Sequence, residues 1–389
     1  MRIALILYRS PSYSETFFDA LIKAWNTLGH QVVISTGWEG KMPHSGSYLP
    51  ALPLSFTQFA AWRYLAFSIR KGWWLRPILR TYYRAERRSG TKRWRSIKRV
   101  YFNAHLLVSS VDWIHFGYLA AGLQREQVGH ALQVPSTASI RGADISLLPL
   151  QHSYPFRPLW AQLAKVHVLS QDLHRLAIQQ EIPSVLPVRQ ILPVFAHQLP
   201  KPRRPRNMLL DTLQLIWIGR FTWKKNPILA IQVLNDLLQS GFDVQLTMVG
   251  VGEELAELEE QVRLQGLTHA VSFVGKLEHT EVIESLHLYD ILLHTAWQEG
   301  FGNVLLEAQA AGVWVVSTPG EGVFENLSDG ITGTVVREWS SIALVQAVLN
   351  YRSQSEDSQK AHAQLSRNKI SSKFSWEEHL NNWSDFFAL

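Results

Sequence analysis

The chain has 389 residues, 46% hydrophobic and 18% charged, which is longer than a single core of about 250–300 residues and too apolar for a disordered chain. It has no cysteine, which excludes disulfide scaffolds, thiol nucleophiles and thiolate metal sites and fits a reducing compartment. The net charge of +6 is uneven: between Arg63 and Arg99 stand thirteen Lys and Arg against one acid, Glu86, so this segment carries +12 and the rest of the chain −6.

In chain order, MRIALILYRSPS has too short an apolar run for a secretory leader, and residues 2–8 read as a buried first strand. No stretch reaches the ~18–20 apolar residues of a spanning helix. Ser12 and Glu15 stand at capping-box spacing before a helix that ends at Gly29. Strands are predicted at 31–36, 112–117, 136–142 and 165–170, and KPRRPR (201–206) reads as a linker. The second half alternates more cleanly, with strands at 213–219, 243–250, 271–275, 290–296 and 313–318. Between them fall helices beginning near Asn226, with Pro227 at the first helical position, and at 253–266, 280–289 and 303–312. Strand–helix–strand alternation implies parallel pairing through crossovers, hence an α/β chain with doubly wound sheets. The expected division is 1–200, a linker at 201–212, 213–370, and a terminal segment 371–389.

The sharpest motif is WQEGFGNVLLEAQAAG (297–312). Glu299 follows a strand in a loop with Gly300 and Gly302, and Glu307 lies inside the next helix. Ligands of doubly wound sheets gather at the carboxyl ends of strands, beside helix amino termini that suit phosphate. Two carboxylates there repel phosphate, so they fit hydroxyl groups instead. IGRFTWKKNP (218–227) adds Arg220 and Lys225, a cation pair suited to a diphosphate whose charge grows as its bond to a sugar breaks. No D-x-D occurs, so no carboxylate-held metal is expected, and no two of the fifteen histidines fall at a convincing metal spacing. Taken singly, each piece is common in α/β proteins or reads as solvated surface charge; their order in one half of the chain gives them weight.

These motifs resemble those of family four of the retaining, GT-B-fold glycosyltransferases, over nearly all of the chain and most strongly from about 213 to 336. Glu299 and Glu307 match the family's glutamate pair. Gly219, Arg220 and Lys225 match its G-R-x(4)-K element, and VGVGEE (249–254) matches its V-G-x-G-x-E element. The resemblance implies two Rossmann-like domains facing each other across a cleft and a nucleotide-sugar donor carrying UDP or GDP, with no cofactor and no metal. It implies Arg220 and Lys225 at the diphosphate, Glu299 at the transferred sugar and Glu307 at the ribose. The backbone of Gly302, Asn303 and Val304 would meet the phosphates, and Lys276 and Leu277 would lie near the nucleobase. The terminal FSWEEHLNNW (374–383) resembles the family's last helix, which returns to the first domain. PSYSETFF (11–18), HFG (115–117) and IRGADIS (140–146) resemble exopolysaccharide- and colanic-acid-type members. That places Glu15, Thr16, His115 and Arg141 on the acceptor or sugar side. Many relatives have His where Arg141 stands, ILPVFA (191–196) lacks the usual P-N-G-x-D, and Glu321 replaces a usual glycine, whereas Glu325 is in place. His294 is a further residue that could line the site or simply be packed.

The implied activity is transfer of a hexose-type sugar, with retention, to a saccharide or lipid-linked saccharide in cell-surface polysaccharide assembly. Front-face attack is the preferred course, because no second carboxylate declares itself as nucleophile or acid. Residues 62–99 interleave bases with Trp62, Trp73, Trp74, Tyr82, Tyr83 and Trp94. An anionic membrane surface suits that pattern, as does a helix pair with a solvated basic face; nucleic acid is disfavoured. The location expected is cytoplasmic, peripheral on the inner face of the membrane. The rival readings are a binding protein with a vestigial site, and an epimerase or phosphorylase on the same architecture.

Overall fold

The computed structural model describes residues 1–8, 17–36, 47–50, 76–195, 198–203, 208 and 211–388. Ser12, Glu15, Thr16, Trp62, Trp73 and Trp74, and the second half of the KPRRPR segment, lie outside the described residues. The chain forms two compact units, Met1–Leu192 with His379–Leu389, and Pro193–Glu378. The division falls at 192/193 rather than inside 201–212, because the intervening segment is tied to the second unit. Phe195 N–H donates to the Phe374 carbonyl (3.0 Å) and Arg203 N–H to that of Ala311 (2.8 Å). The Arg203 guanidinium donates to Asp290 Oδ1 at 2.7 Å, both side chains being buried.

The first unit holds β1 (Arg2–Ile6), β2 (Gln31–Thr36), β3 (Ser47–Pro50), β4 (Trp113–Phe116), β5 (Ser136–Ile140), β6 (Lys165–Val168) and β7 (Val188–Gln190). Their order is β3-β2-β1-β4-β5-β6-β7, with every pairing parallel. The second unit holds β8 (Leu213–Ile218), β9 (Val244–Val249), β10 (Val271–Gly275), β11 (Ile291–His294), β12 (Trp314–Ser317) and β13 (Thr334–Val335), ordered β10-β9-β8-β11-β12-β13, again all parallel. These are the two doubly wound, Rossmann-like sheets that alternation predicts. β4, β11 and β12 are buried along their whole length, as central parallel strands covered on both faces must be.

β3, β7 and β13 were not expected. They have four, three and two residues and lie at sheet edges, too short to carry an apolar period. The helix expected over 280–289 runs from His279 to Ser285 and tightens into a 3-10 turn at Leu286–Leu288. A capping box between Glu278 and Glu281 fixes its start.

The last helix, Trp376–Phe387, buries His379, Trp383, Phe386 and Phe387, a single stripe at helical spacing. Trp383 meets Trp25 at 5.2 Å, His115 at 5.8 Å and His167 at 5.0 Å between ring centroids, so this helix completes the first unit's core. Within the basic segment, helices Pro77–Arg88 and Arg93–Leu107 are described. Tyr82 and Glu86 are fully buried. Glu86 accepts from Arg99 (2.8 Å) and from Thr91 (3.0 Å), and Arg99 also reaches Glu126 (3.2 Å). The hairpin therefore has a polar, paired interior. Arg80, Arg84, Arg88, Lys92, Arg93, Arg95 and Lys98 are exposed beside Trp94 and Ile97.

Candidate active site

In the second unit β8 pairs with both β9 and β11, and the chain winds away in opposite directions on the two sides. The crevice at such a reversal is where doubly wound sheets take ligands. Gly219 to Asn226 follow β8, and Thr295 to Gly302 follow β11. Trp217 Nε1 donates to Thr295 Oγ1 (2.9 Å), and Thr295 Oγ1 reaches the carbonyls of Lys225 (3.0 Å) and Asn226 (2.8 Å). Trp297 N–H donates to the Lys224 carbonyl at 2.8 Å. The two loops are therefore stitched together before any ligand arrives.

The glycines at 250 and 252 buttress the first loop. A Cβ on Gly250 would stand 1.8 Å from the Gly219 carbonyl oxygen, and one on Gly252 would stand 2.2 Å from that of Phe221. Gly219 N–H donates to the Val249 carbonyl (3.0 Å), Phe221 N–H to that of Val251 (3.1 Å), and Glu254 N–H back to that of Phe221 (3.1 Å). The V-G-x-G-x-E element thus acts as a backbone brace behind Arg220. The Arg220 side chain is exposed.

Lys225 donates to Glu299 Oε2, Gly300 N–H donates to Glu299 Oε1 at 3.1 Å, and His294 Nε2 lies 3.5 Å from Oε2. Burial opposes ionisation of Glu299, but the Lys225 ammonium and His294 hold its carboxyl well below the usual carboxylate range. Ser317 donates its proton to the Thr318 carbonyl (2.8 Å), so His294 Nδ1 donates to Ser317 Oγ (2.8 Å). Nε2 is then the atom that gains or loses the second proton. Burial lowers the pKa of His294, against the pull of Glu299. Lys224 is pushed down by burial and by Arg220 nearby, while Glu321 pulls it up.

Helix Asn303–Ala311 starts after Gly302, whose φ of +79° is left-handed, and no side chain caps it. The N–H groups of Asn303 and Val304 thus begin the helix beside the Glu299 loop. Sequence reasoning missed what fixes this loop. Asn326 Nδ2 donates to the carbonyls of Gly302 (2.9 Å) and Phe301 (3.2 Å), and Gln309 Nε2 donates to Asn326 Oδ1 (2.8 Å). Gln309 and Asn326 are both fully buried. Glu307 projects from the same helix, only 8% exposed, and meets His279 Nε2 at 2.8 Å. That bond raises the pKa of His279, a partner the sequence did not announce. Lys276 lies 3.9 Å from Glu278, and Leu277 packs on the apolar cluster behind the sheet. Glu299, Lys225 and His294 come together, and Glu307 forms a second pair with His279.

The first-unit candidates sit differently. His115 is wholly buried in β4. It reaches Thr137 Oγ1 and Ser139 Oγ at 2.8 Å each, Ser139 reaches His167 Nδ1 at 2.8 Å, and His167 Nε2 reaches the Ile191 carbonyl at 2.9 Å. A carbonyl only accepts, so His167 Nε2 donates to Ile191; Thr137 Oγ1 also reaches the Ile114 carbonyl (3.2 Å), and burial keeps both imidazoles neutral. Burial holds His115 well below its usual range and His167 at about 3. His115 is thus a core residue, not one placed at the strand end to meet an acceptor. Arg141 follows β5, donates to the Gly117 carbonyl (2.9 Å) and lies over Phe17 (4.4 Å) and Phe18 (4.8 Å). Among the described residues no group of three or more His, Asp or Glu is placed to hold a metal ion.

Residues 202–370 match the family described as "Glycosyl transferases group 1". A glycogen synthase of Mycobacterium tuberculosis is 31% identical over 175 residues, 45% of this chain and 41% of that protein; the chain thus spans less than half of that relative. The amylovoran biosynthesis glycosyltransferase AmsK of Erwinia amylovora is 27% identical over 282 residues, 70% of this chain and 68% of that protein. Among solved structures, Anabaena HepE in complex with UDP and glucose superposes with a TM-score of 0.73 at 16% identity, covering 100% of both chains. The sucrose-phosphate synthase of Thermosynechococcus elongatus gives 0.74 at 16%, covering 100% of this chain and 98% of that one. These likenesses show the GT-B fold.

Proposed function

We propose that this chain, which matches the group 1 glycosyl transferases over residues 202–370, moves a hexose-type sugar with retention from a UDP- or GDP-sugar to a saccharide or lipid-linked saccharide. The setting proposed is cell-surface polysaccharide assembly, the kind of role that AmsK carries in its name. One observation carries the reading: Lys225 and Glu299 pair beside an uncapped helix start at the sheet's switch point. Arg220, Lys225 and the N–H groups of Asn303 and Val304 meet the diphosphate. Glu299 accepts hydrogen bonds from hydroxyls of the transferred sugar, and Glu307, oriented by His279, accepts them from those of the ribose. The base lies near Lys276 and Leu277.

As the bond from the anomeric carbon to the phosphate oxygen breaks, negative charge gathers on the leaving diphosphate. Lys225 exchanges Glu299 for that phosphate, and fixed cations stabilise the developing charge without a metal. The leaving oxygen takes the acceptor's hydroxyl proton as the new bond forms on the same face. The exposed bases of the hairpin 77–107, with Trp94 and Ile97, hold the protein on anionic lipid at the inner membrane face. Among the described residues no helix is long and apolar enough to cross a membrane.

The test is a thermal-shift screen against UDP, GDP and their sugars with chelator present, where binding to the folded state alone raises the melting point. A shift with one base that persists in chelator is expected; no shift from folded protein overturns the donor reading. Sedimentation with phosphatidylglycerol vesicles, released by salt, is expected for the hairpin. Equal indifference to anionic and neutral vesicles contradicts that part.

A further inference from the structure

Among the described residues four tryptophans are more than a third exposed: Trp94, Trp223, Trp297 and Trp339. Three of them stand in loops that follow β8, β11 and β13, at the carboxyl end of the second sheet. Trp297 and Trp339 are 47% and 37% exposed, yet their rings stack at 5.1 Å between centroids with 20° between planes. Both are anchored from behind: Trp339 Nε1 donates to the Ala296 carbonyl (3.0 Å), and Trp297 N–H to the Lys224 carbonyl (2.8 Å). Trp223, 55% exposed, precedes Lys224, whose ammonium lies 5.7 Å from the Trp223 ring centroid.

Single exposed apolar residues are ordinary on a protein surface. Two indoles held in a stack, with Trp297 two residues before Glu299 and braced by the loop that carries Lys225, are not a scattered exposure. We propose that Trp297 and Trp339, with Trp223 on the adjoining loop, form a stacking platform for pyranose rings of a saccharide chain. The proposal rests on the glycosyl-transfer reading and deepens it by giving the saccharide a place to lie.

The chemistry is specific to this ligand class. A pyranose presents axial C–H groups on one face and hydroxyls around its edge. The C–H face meets the electron-rich face of an indole. The hydroxyls stay in water or reach polar neighbours such as Lys224 and Gln298. The indoles are already fixed, so little side-chain freedom is lost on binding. Because the platform reads a ring face and not a hydroxyl pattern, it tolerates different linkages.

The test uses the full chain and three probes, maltoheptaose, cellohexaose and a manno-oligosaccharide, each titrated and followed by saturation-transfer NMR. Weak binding of at least one probe is expected, with transfer strongest at the ring C–H protons. Trp297→Ala combined with Trp339→Ala should weaken that binding by about tenfold or more, while Trp297→Phe with Trp339→Phe retains part of it and Trp94→Ala all of it. The UDP thermal shift should survive the double alanine change. No binding of any probe overturns the platform, as does binding unchanged by the double alanine change. Loss of the UDP shift in that variant, with the fold intact by circular dichroism, assigns the indoles to the donor and also overturns it. Saccharide binding by wild type with no UDP or GDP shift leaves the platform standing and sinks the donor reading instead.

Discussion

His115 on β4 and His294 on β11 occupy corresponding strands: each strand flanks the one, β1 or β8, from which its sheet winds outward. His115 is the third residue of its strand and His294 the last. Each imidazole bonds through Nδ1 to a hydroxyl on the next strand. The difference is where the far side of the ring looks. In the first unit it opens onto a chain of neutral groups that ends at the Ile191 carbonyl and is sealed by Trp383. In the second it faces Glu299, which belongs to the loop and shares an ion pair with Lys225. One step along a strand separates a polar group spent on the core from one available to a ligand.

The largest effect that would break this contrast is on transfer. Arg220→Ala combined with Lys225→Ala should lower transfer at least ~10³-fold, with the fold retained by circular dichroism. Substantial remaining transfer would sink the diphosphate assignment. Next, Glu307→Ala should weaken donor binding by about 1.5–3 kcal/mol, the range of hydrogen bonds to a charged group, and His279→Ala by less. Unchanged affinity for UDP by calorimetry contradicts the ribose role. In the first unit the expectation inverts. His115→Leu takes one hydrogen-bond partner from each of Thr137 and Ser139 and should cost about 0.5–1.5 kcal/mol of stability per lost bond, while the nucleotide shift of the folded protein stays intact.

The smallest effect is graded with pH. His105 and His167 fall to about 3 through burial, and His115 lies well below its usual 6.5. For such groups the unfolded chain takes up protons below about pH 6.5 while the folded chain does not. Their contribution is therefore present above that pH and is lost as pH falls toward 3. Glu299 acts in the same direction, starting below its usual 4.5. His279, raised by Glu307, acts oppositely: its contribution is present below 6.5 and is lost as pH rises through its folded value. Melting temperatures from pH 7 to 5 should fall, and a flat profile contradicts the neutral chain of hydrogen bonds.

The second unit was the more legible because its strands are long enough to show an apolar run, and its glycines mark backbone contacts that tolerate no side chain, as at Gly250 and Gly252. The placement of Glu299 and Glu307 after a strand and inside the following helix could be read directly. The supports could not. Gln309 looks like any solvated residue of a helix, and its burial exists only because Asn326, seventeen residues on, returns beneath it. His279 gives no signal until its helix, His279–Ser285, packs beside helix Asn303–Ala311. Edge strands of two to four residues carry too few side chains to show a period. Glu86 looked like a lone acid in a basic run and turned out to be the buried anchor that Arg99 needs.

The return of the last helix also sets an order for synthesis. Residues 193–378 form one uninterrupted unit, whereas the first unit needs 379–389 to finish its core. Trp25, buried beneath Trp383 and Phe387, must wait for more than 350 intervening residues to be translated. Domains ordinarily fold from the amino terminus as they leave the ribosome. Here the amino-terminal half emerges first, yet its core closes only after residues 193–378 have followed it.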